Sequence, residues 1–146
     1  MTRRFLARLT AEQEVVEEVV SLVLHHLRPM ELYKVKAGDA AIRRLATQVN
    51  VRQLVRVARH DDAGRPPRPV DDFPSGTWLI ERAELLAAAD AAPRPLILGR
   101  HLIELGLPPG RRFKPILDQC FEAQLDGSFT DLEGGLAFLK KLVADG

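Results

Sequence analysis

Cysteine and aromatic residues are scarce in this chain. Its 146 residues include one Cys, one Trp and one Tyr, and Phe, Trp and Tyr together make up 5% of it. The lone cysteine, Cys120, excludes an internal disulfide framework and fits a reducing, cytoplasmic setting. It is expected to be a small buried hydrophobe rather than a nucleophile. With so few rings, any core must rest on Leu, Val, Ile and Ala. No apolar run approaches the ~20 residues that a membrane-spanning helix needs, so no membrane partner is expected. The opening stretch MTRRFLARLT is basic, but its apolar part breaks off too early for a signal peptide. No P-loop, no GxGxxG and no nucleophile elbow occurs. No closely spaced pair of acids in a strand-turn context offers a seat for Mg²⁺.

What the chain has is helix-forming sequence and uneven charge. Hydrophobic residues make up 46% and charged residues 28%, enough to bury a core. The net charge of +1 conceals its layout. Between Lys34 and Arg68, nine Lys and Arg stand against three Asp. Between Pro115 and Gly146, two Lys stand against six acids. A basic middle and an acidic end suggest one face for an anionic partner, although a solvated helix surface has the same composition.

Nearly every periodic stretch predicts a helix. In AEQEVVEEVVSLVLHHL, Val15, Val16, Val19, Val20, Val23, Leu24 and Leu27 recur at helical spacing. Thr10 is the expected N-cap, with Gln13 at the capping-box position, and Pro29 the expected stop. Asp39 is expected to cap a helix over GDAAIRRLATQV, and Asn50 one over NVRQLVRVARHD. On the latter, Leu54, Val55 and Ala58 share one side and Arg52, Arg56 and Arg59 the other. Residues 63–76 contain four prolines and two glycines, which forbid regular structure. TWLIERAELLAAADAA follows as a long helix, expected to be a strut between lobes. GRHLIELG, PILDQCFEAQLDG and DLEGGLAFLKKLVADG predict three more helices, with Gly106 and Gly127 closing the first two and Gly134 and Gly135 weakening the third. No strand is predicted. The expected fold is all-α: short helices in two small lobes, residues 1–65 and 77–146, joined by a Pro/Gly-rich linker at 66–76 and the longer helix.

Two clusters invite a chemical reading. His60–Asp61 suits a metal-dependent phosphohydrolase, but that chemistry needs further His and Asp ligands converging from other helices. The bland alternative is an Asp61–Arg65 pair one turn apart. His25 and His26 diverge by about 100° on a helix and cannot easily share an ion. One is expected at the core edge and the other in solvent. The second cluster is the bend LGLPPGRRFKPIL. A helix starting after Pro-Pro-Gly leaves amides unpaired, and they and the helix dipole favour an anion. Arg111, Arg112 and Lys114 add charge there, while Pro115 is tolerated in the first turn. A phosphate site and a solvated corner both fit the loop taken alone.

The longer block PLILGRHLIELGLPPGRRFKPILDQCFEAQLDG resembles the C-terminal segment of bacterial tRNA nucleotidyltransferases, the CCA-adding and A-adding enzymes related to poly(A) polymerase. Leu105, Gly106, Leu107, Pro109, Gly110, Ile116, Leu117, Gln124, Leu125, Asp126 and Gly127 carry the likeness. DAAIRRLATQVNVRQLVRVARHDDAGR resembles that family's basic helical pair, ending in Ala58, Arg59, Asp61, Gly64 and Arg65. RFLARLT and LVLHHLRP look like the tail of a His-Asp domain. Arg111 stands where the family usually has Pro, and Lys114 where it has Gly.

The resemblance implies a tRNA-binding, non-catalytic C-terminal region. The nucleotidyltransferase head, with its Mg²⁺ and nucleoside triphosphate, would lie outside this chain, which has no catalytic residue or cofactor of its own. The expected phosphate contacts are Arg43, Arg44, Arg52, Arg56 and Arg59 on the basic helices, and Arg100, Arg111, Arg112 and Lys114 at the bend. The partner is tRNA or another structured RNA. One alternative is a remnant of a His-Asp phosphohydrolase, with His26, His60 and Asp61 as metal candidates. The other is a helical interaction module, a homodimer for example.

Overall fold

The computed structural model describes residues 1–64, 73–89 and 91–144, and among them every regular element is a helix. Two compact units form, Met1–Pro93 and Arg94–Gly146. No helix among the described residues is long and apolar enough to cross a membrane.

The first unit holds α1 (Thr2–Leu6), α2 (Gln13–His25), α3 (Arg28–Lys34), α4 (Asp39–Ala46), α5 (Val51–Ala63) and α6 (Pro74–Leu85). Its core joins Leu32, Ile42, Leu45, Val51, Leu54, Ala58, Leu79 and Ala83. These lie at helical spacing on α3–α6, so each helix turns one stripe inward. α6 packs against α3, α4 and α5. It approaches closely where Gly76 meets α5, since a Cβ there would lie 2.8 Å from Val55 Cγ1.

Asn50 caps α5 as the sequence predicts, its Oδ1 accepting from the Gln53 amide at 3.0 Å. The other two caps differ. α2 begins after Glu12, and Thr10 Oγ1 accepts from the Glu12 amide at 3.1 Å. The hydroxyl thus closes a local turn upstream of the helix. Gly38 precedes α4, and Asp39 is its first residue, with its carboxylate paired to Arg82 of α6. Pro29 does more than stop α2. It is buried in the first turn of α3, where its missing N–H costs nothing. On α2, Val16 alone is fully buried, while Val15, Val23 and Leu24 remain exposed.

The long strut is not observed. Pro74 starts α6 earlier than the apolar pattern suggests, and the helix ends at Leu85. Ala87 then turns left-handed at φ 51°, and Ala88 and Ala89 enter the core of the first unit. The Ala89 carbonyl accepts from the Arg52 amide at 3.3 Å, which satisfies one open donor at the start of α5. Burial therefore overrides the helix propensity of the Ala-rich run. The expected 66–76 linker lies mostly outside the described residues. The compact units divide at Pro93 and Arg94 instead.

α3 ends with an irregular residue choice. Lys36 N–H donates to Tyr33 O and Ala37 N–H to Leu32 O, the paired bonds of a Schellman C-cap. The left-handed position of that motif normally belongs to Gly, but here Lys36 holds it at φ 49°.

The second unit holds α7 (Gly99–Glu104), α8 (Phe113–Asp126) and α9 (Leu132–Ala144). Ile97, Leu102, Cys120, Phe129 and Leu139 form its core. Gly106 and Gly127, both at φ 84°, end α7 and α8 as the sequence predicts. Asp131 caps α9, its carboxylate accepting from the Gly134 amide at 2.8 Å. Gly135 is a point of contact rather than a weakness. A Cβ there would lie 2.9 Å from Ile97 Cδ1, so the glycine lets α9 sit against that side chain.

Candidate nucleic-acid interface

On α5, Arg52, Arg56 and Arg59 follow one another at spacings of four and three residues, which puts them on one face. That face forms a shallow groove of about 420 Å³, lined by the three arginines, His60, Val55 and Ile80 of α6. It offers cations around a small apolar floor. Arg52 is tethered by Glu84 of α6 at 2.6 Å. Arg56 is exposed and has no ion-pair partner among the described residues. Arg43 and Arg44 are half-buried on α4, engaged with neighbours, and do not line this groove.

The bend between α7 and α8 is built from local signals. The Leu107 amide donates to Leu102 O at 3.0 Å, completing the α7 C-cap around Gly106. Phe113 N–H donates to Gly110 O at 3.0 Å, and Ile116 N–H to Arg112 O at 3.3 Å. Pro115 has no N–H to offer. The Phe113 amide is thus paired and Pro115 offers none, so the first turn of α8 has fewer amides for an incoming anion than an ordinary helix start. The cations are not equivalent either. Lys114 pairs with Asp118 at 2.7 Å one turn on, whereas Arg111 and Arg112 are exposed. Arg112 also borders an apolar groove of about 470 Å³ with Leu107, Pro115, Ile116, Gln119, Leu142 and Val143.

Arg100 is exposed on α7 beside the buried His101. His101 Nδ1 accepts from the Leu98 amide at 3.0 Å, which places the ring hydrogen on Nε2. Arg100 Nε, 3.2 Å from that Nε2, then faces a donor and makes no hydrogen bond to it.

The metal candidates separate. His60 turns into the basic groove. Its neighbour Asp61 instead approaches His26, with 4.0 Å between Oδ2 and Nε2. His26 Nδ1 lies 2.6 Å from Val23 O and so carries the hydrogen that this bond needs. Among the described residues no group of three His, Cys, Asp or Glu could hold a metal ion. His25 and His26 are both half-buried, so neither is a fully solvated histidine. The possible Asp61 partner Arg65 lies outside the described residues.

Sequence periodicity does not reveal one further cluster. The chain's one Tyr and one Trp meet across α3 and α6, with Tyr33 and Trp78 centroids 5.7 Å apart in an edge-to-face arrangement. Lys36 Nζ stands 3.5 Å above the Tyr33 ring. The sequence signal is composition alone, because each ring is the chain's single residue of its type.

The described residues define an all-α protein with cations gathered on α5 and at the α7–α8 bend. Comparisons with family models, curated proteins and solved structures give no match.

Proposed function

We propose that this chain holds structured RNA, tRNA in the first instance, by its phosphate backbone and catalyses no reaction itself. The observation that carries this reading is the α5 face, where Arg52, Arg56 and Arg59 stand in line beside His60. Successive guanidiniums along one helix face can meet successive phosphates without reading bases. Arg111 and Arg112 offer a second basic point on the other unit. Lys114 contributes less, because Asp118 already neutralises it. The resemblance to the C-terminal segment of tRNA nucleotidyltransferases supports tRNA as the RNA, with nucleotide addition belonging to a head outside this chain.

Fluorescence anisotropy of labelled tRNA at 50 and 200 mM salt is the test. Neutralising several phosphates should make affinity fall steeply between the two, with a log–log slope of about −0.9 per contact. Arg56→Ala should weaken binding for all sequences alike and reduce that slope by about one contact. Absence of binding at low salt rules the reading out.

A second reading rests on a different observation. Val15, Val23 and Leu24 are exposed on α2, along with Phe5 and Leu9 nearby in sequence. Apolar residues in that number favour a helical interaction module. Light scattering over a range of concentrations separates a self-associating chain from a monomer.

A further inference from the structure

The cluster of Tyr33, Trp78 and Lys36 has no role in the phosphate contacts above. Tyr33 and Trp78 are both half-buried, so each keeps some ring surface in solvent. Their edge-to-face geometry is a common aromatic packing. The lysine is the unusual part. Gly would fit the left-handed cap position without strain, yet Lys36 occupies it at φ 49°. That conformation brings Nζ within 3.5 Å of the Tyr33 centroid and 5.9 Å of the Trp78 centroid. The side chain itself is exposed and therefore easily displaced.

The lysine over the rings selects the ligand. Lys36 is the charged group that meets both rings, while Glu31 on α3 and Glu81 on α6 are the acids nearest to them in sequence. An aromatic pair set in acidic surroundings would take a cation. Covered by the Lys36 ammonium, it suits a ligand with a flat face and a negative charge. An unpaired nucleotide has both, because its base stacks on aromatic rings and its phosphate seeks a cation.

We propose that Tyr33 and Trp78 form a stacking site for one unpaired nucleobase of a bound RNA, with Lys36 swinging from the Tyr33 face onto the adjoining phosphate. This rests on the RNA-holding reading and adds a second mode to it. The α5 face would grip the backbone, and this cluster would hold a base splayed out of the helix.

Trp78 is the chain's one tryptophan, so its emission reports this site alone. The full chain is titrated at low salt with a short labelled oligoadenylate, which has no paired structure, and with a labelled RNA duplex, following both anisotropy and tryptophan emission. The expected result is saturable quenching by the oligoadenylate. Tyr33→Leu should weaken its binding about tenfold. Lys36→Gly removes the strained side chain, so its melting temperature should hold or rise while the salt slope falls by about one contact. A weakened Lys36→Gly variant therefore cannot be dismissed as unfolded. Oligoadenylate binding with Trp78 emission unchanged, or undiminished by Tyr33→Leu, overturns the stacking site. If the duplex still binds in that case, the backbone reading stands. No anisotropy change with either RNA overturns both. Quenching by tetramethylammonium but not by oligoadenylate would assign the rings to a cation instead.

Discussion

Cys120 shows how one residue's chemistry follows from its surroundings. It is buried in the second unit's core, and burial raises the pKa of its thiol, because the thiolate would have to leave water. A raised folded value means the neutral thiol contributes stability below the unfolded value of about 8.5, and that contribution is lost as pH rises past it. Cys120 should therefore resist a thiol reagent such as DTNB at pH 8 in the native protein and react promptly in denaturant. Rapid native labelling would show that the α8 packing opens. The opposite sign appears at Glu17, whose hydrogen bond from Arg3 lowers its pKa below the ordinary carboxylate range. Its contribution is present above the unfolded value and fades as pH falls through the folded one. Both partners are fully exposed, so the pair is a minor tie between α1 and α2.

Helix ends decide most of the element-scale behaviour. Asn50, Gly106 and Gly127 are legible in the sequence because each acts on atoms within a few residues of itself. The turn after α6 is not, since Ala87 carries no signal of the left-handed conformation it adopts. The Ala87 amide donates to Glu84 O at 2.9 Å and the Ala88 amide to Ala83 O at 2.8 Å, so the geometry is that of a glycine-type cap. A Cβ in this region costs about 1 kcal/mol. Ala87→Gly should therefore raise stability by roughly that amount, read as a higher urea midpoint at constant slope. A lower midpoint would mean that the Ala87 methyl packs more than it strains. Residues Asp39 and Thr10 make the reverse point. Each has a good capping side chain, and each uses it elsewhere: Asp39 on Arg82, and Thr10 on a turn of its own.

At the scale of the whole molecule, the apolar pattern has two fates. Leu54 is fully enclosed in the first unit's core, whereas Leu24 is 73% exposed although both sit at helical spacing. Leu54→Ala should cost about 2–5 kcal/mol of unfolding free energy and Leu24→Ala well under 1 kcal/mol, as measured by urea unfolding. Equal losses would show that α2 buries its outer face after all. By itself the sequence determined the all-α class, most of the helices, the Asn50 cap, the glycine ends and the line of arginines on α5. Those features depend on periodicity and on bonds to near neighbours, which a linear chain displays. Only tertiary structure decided that α6 is a core helix, that His26 meets Asp61 rather than a metal-binding trio, and that Lys36 covers Tyr33 beside Trp78. The physical reason is distance along the chain. Packing free energy and cross-helix contacts are set by which faces come together, and neither propensity nor spacing encodes that meeting.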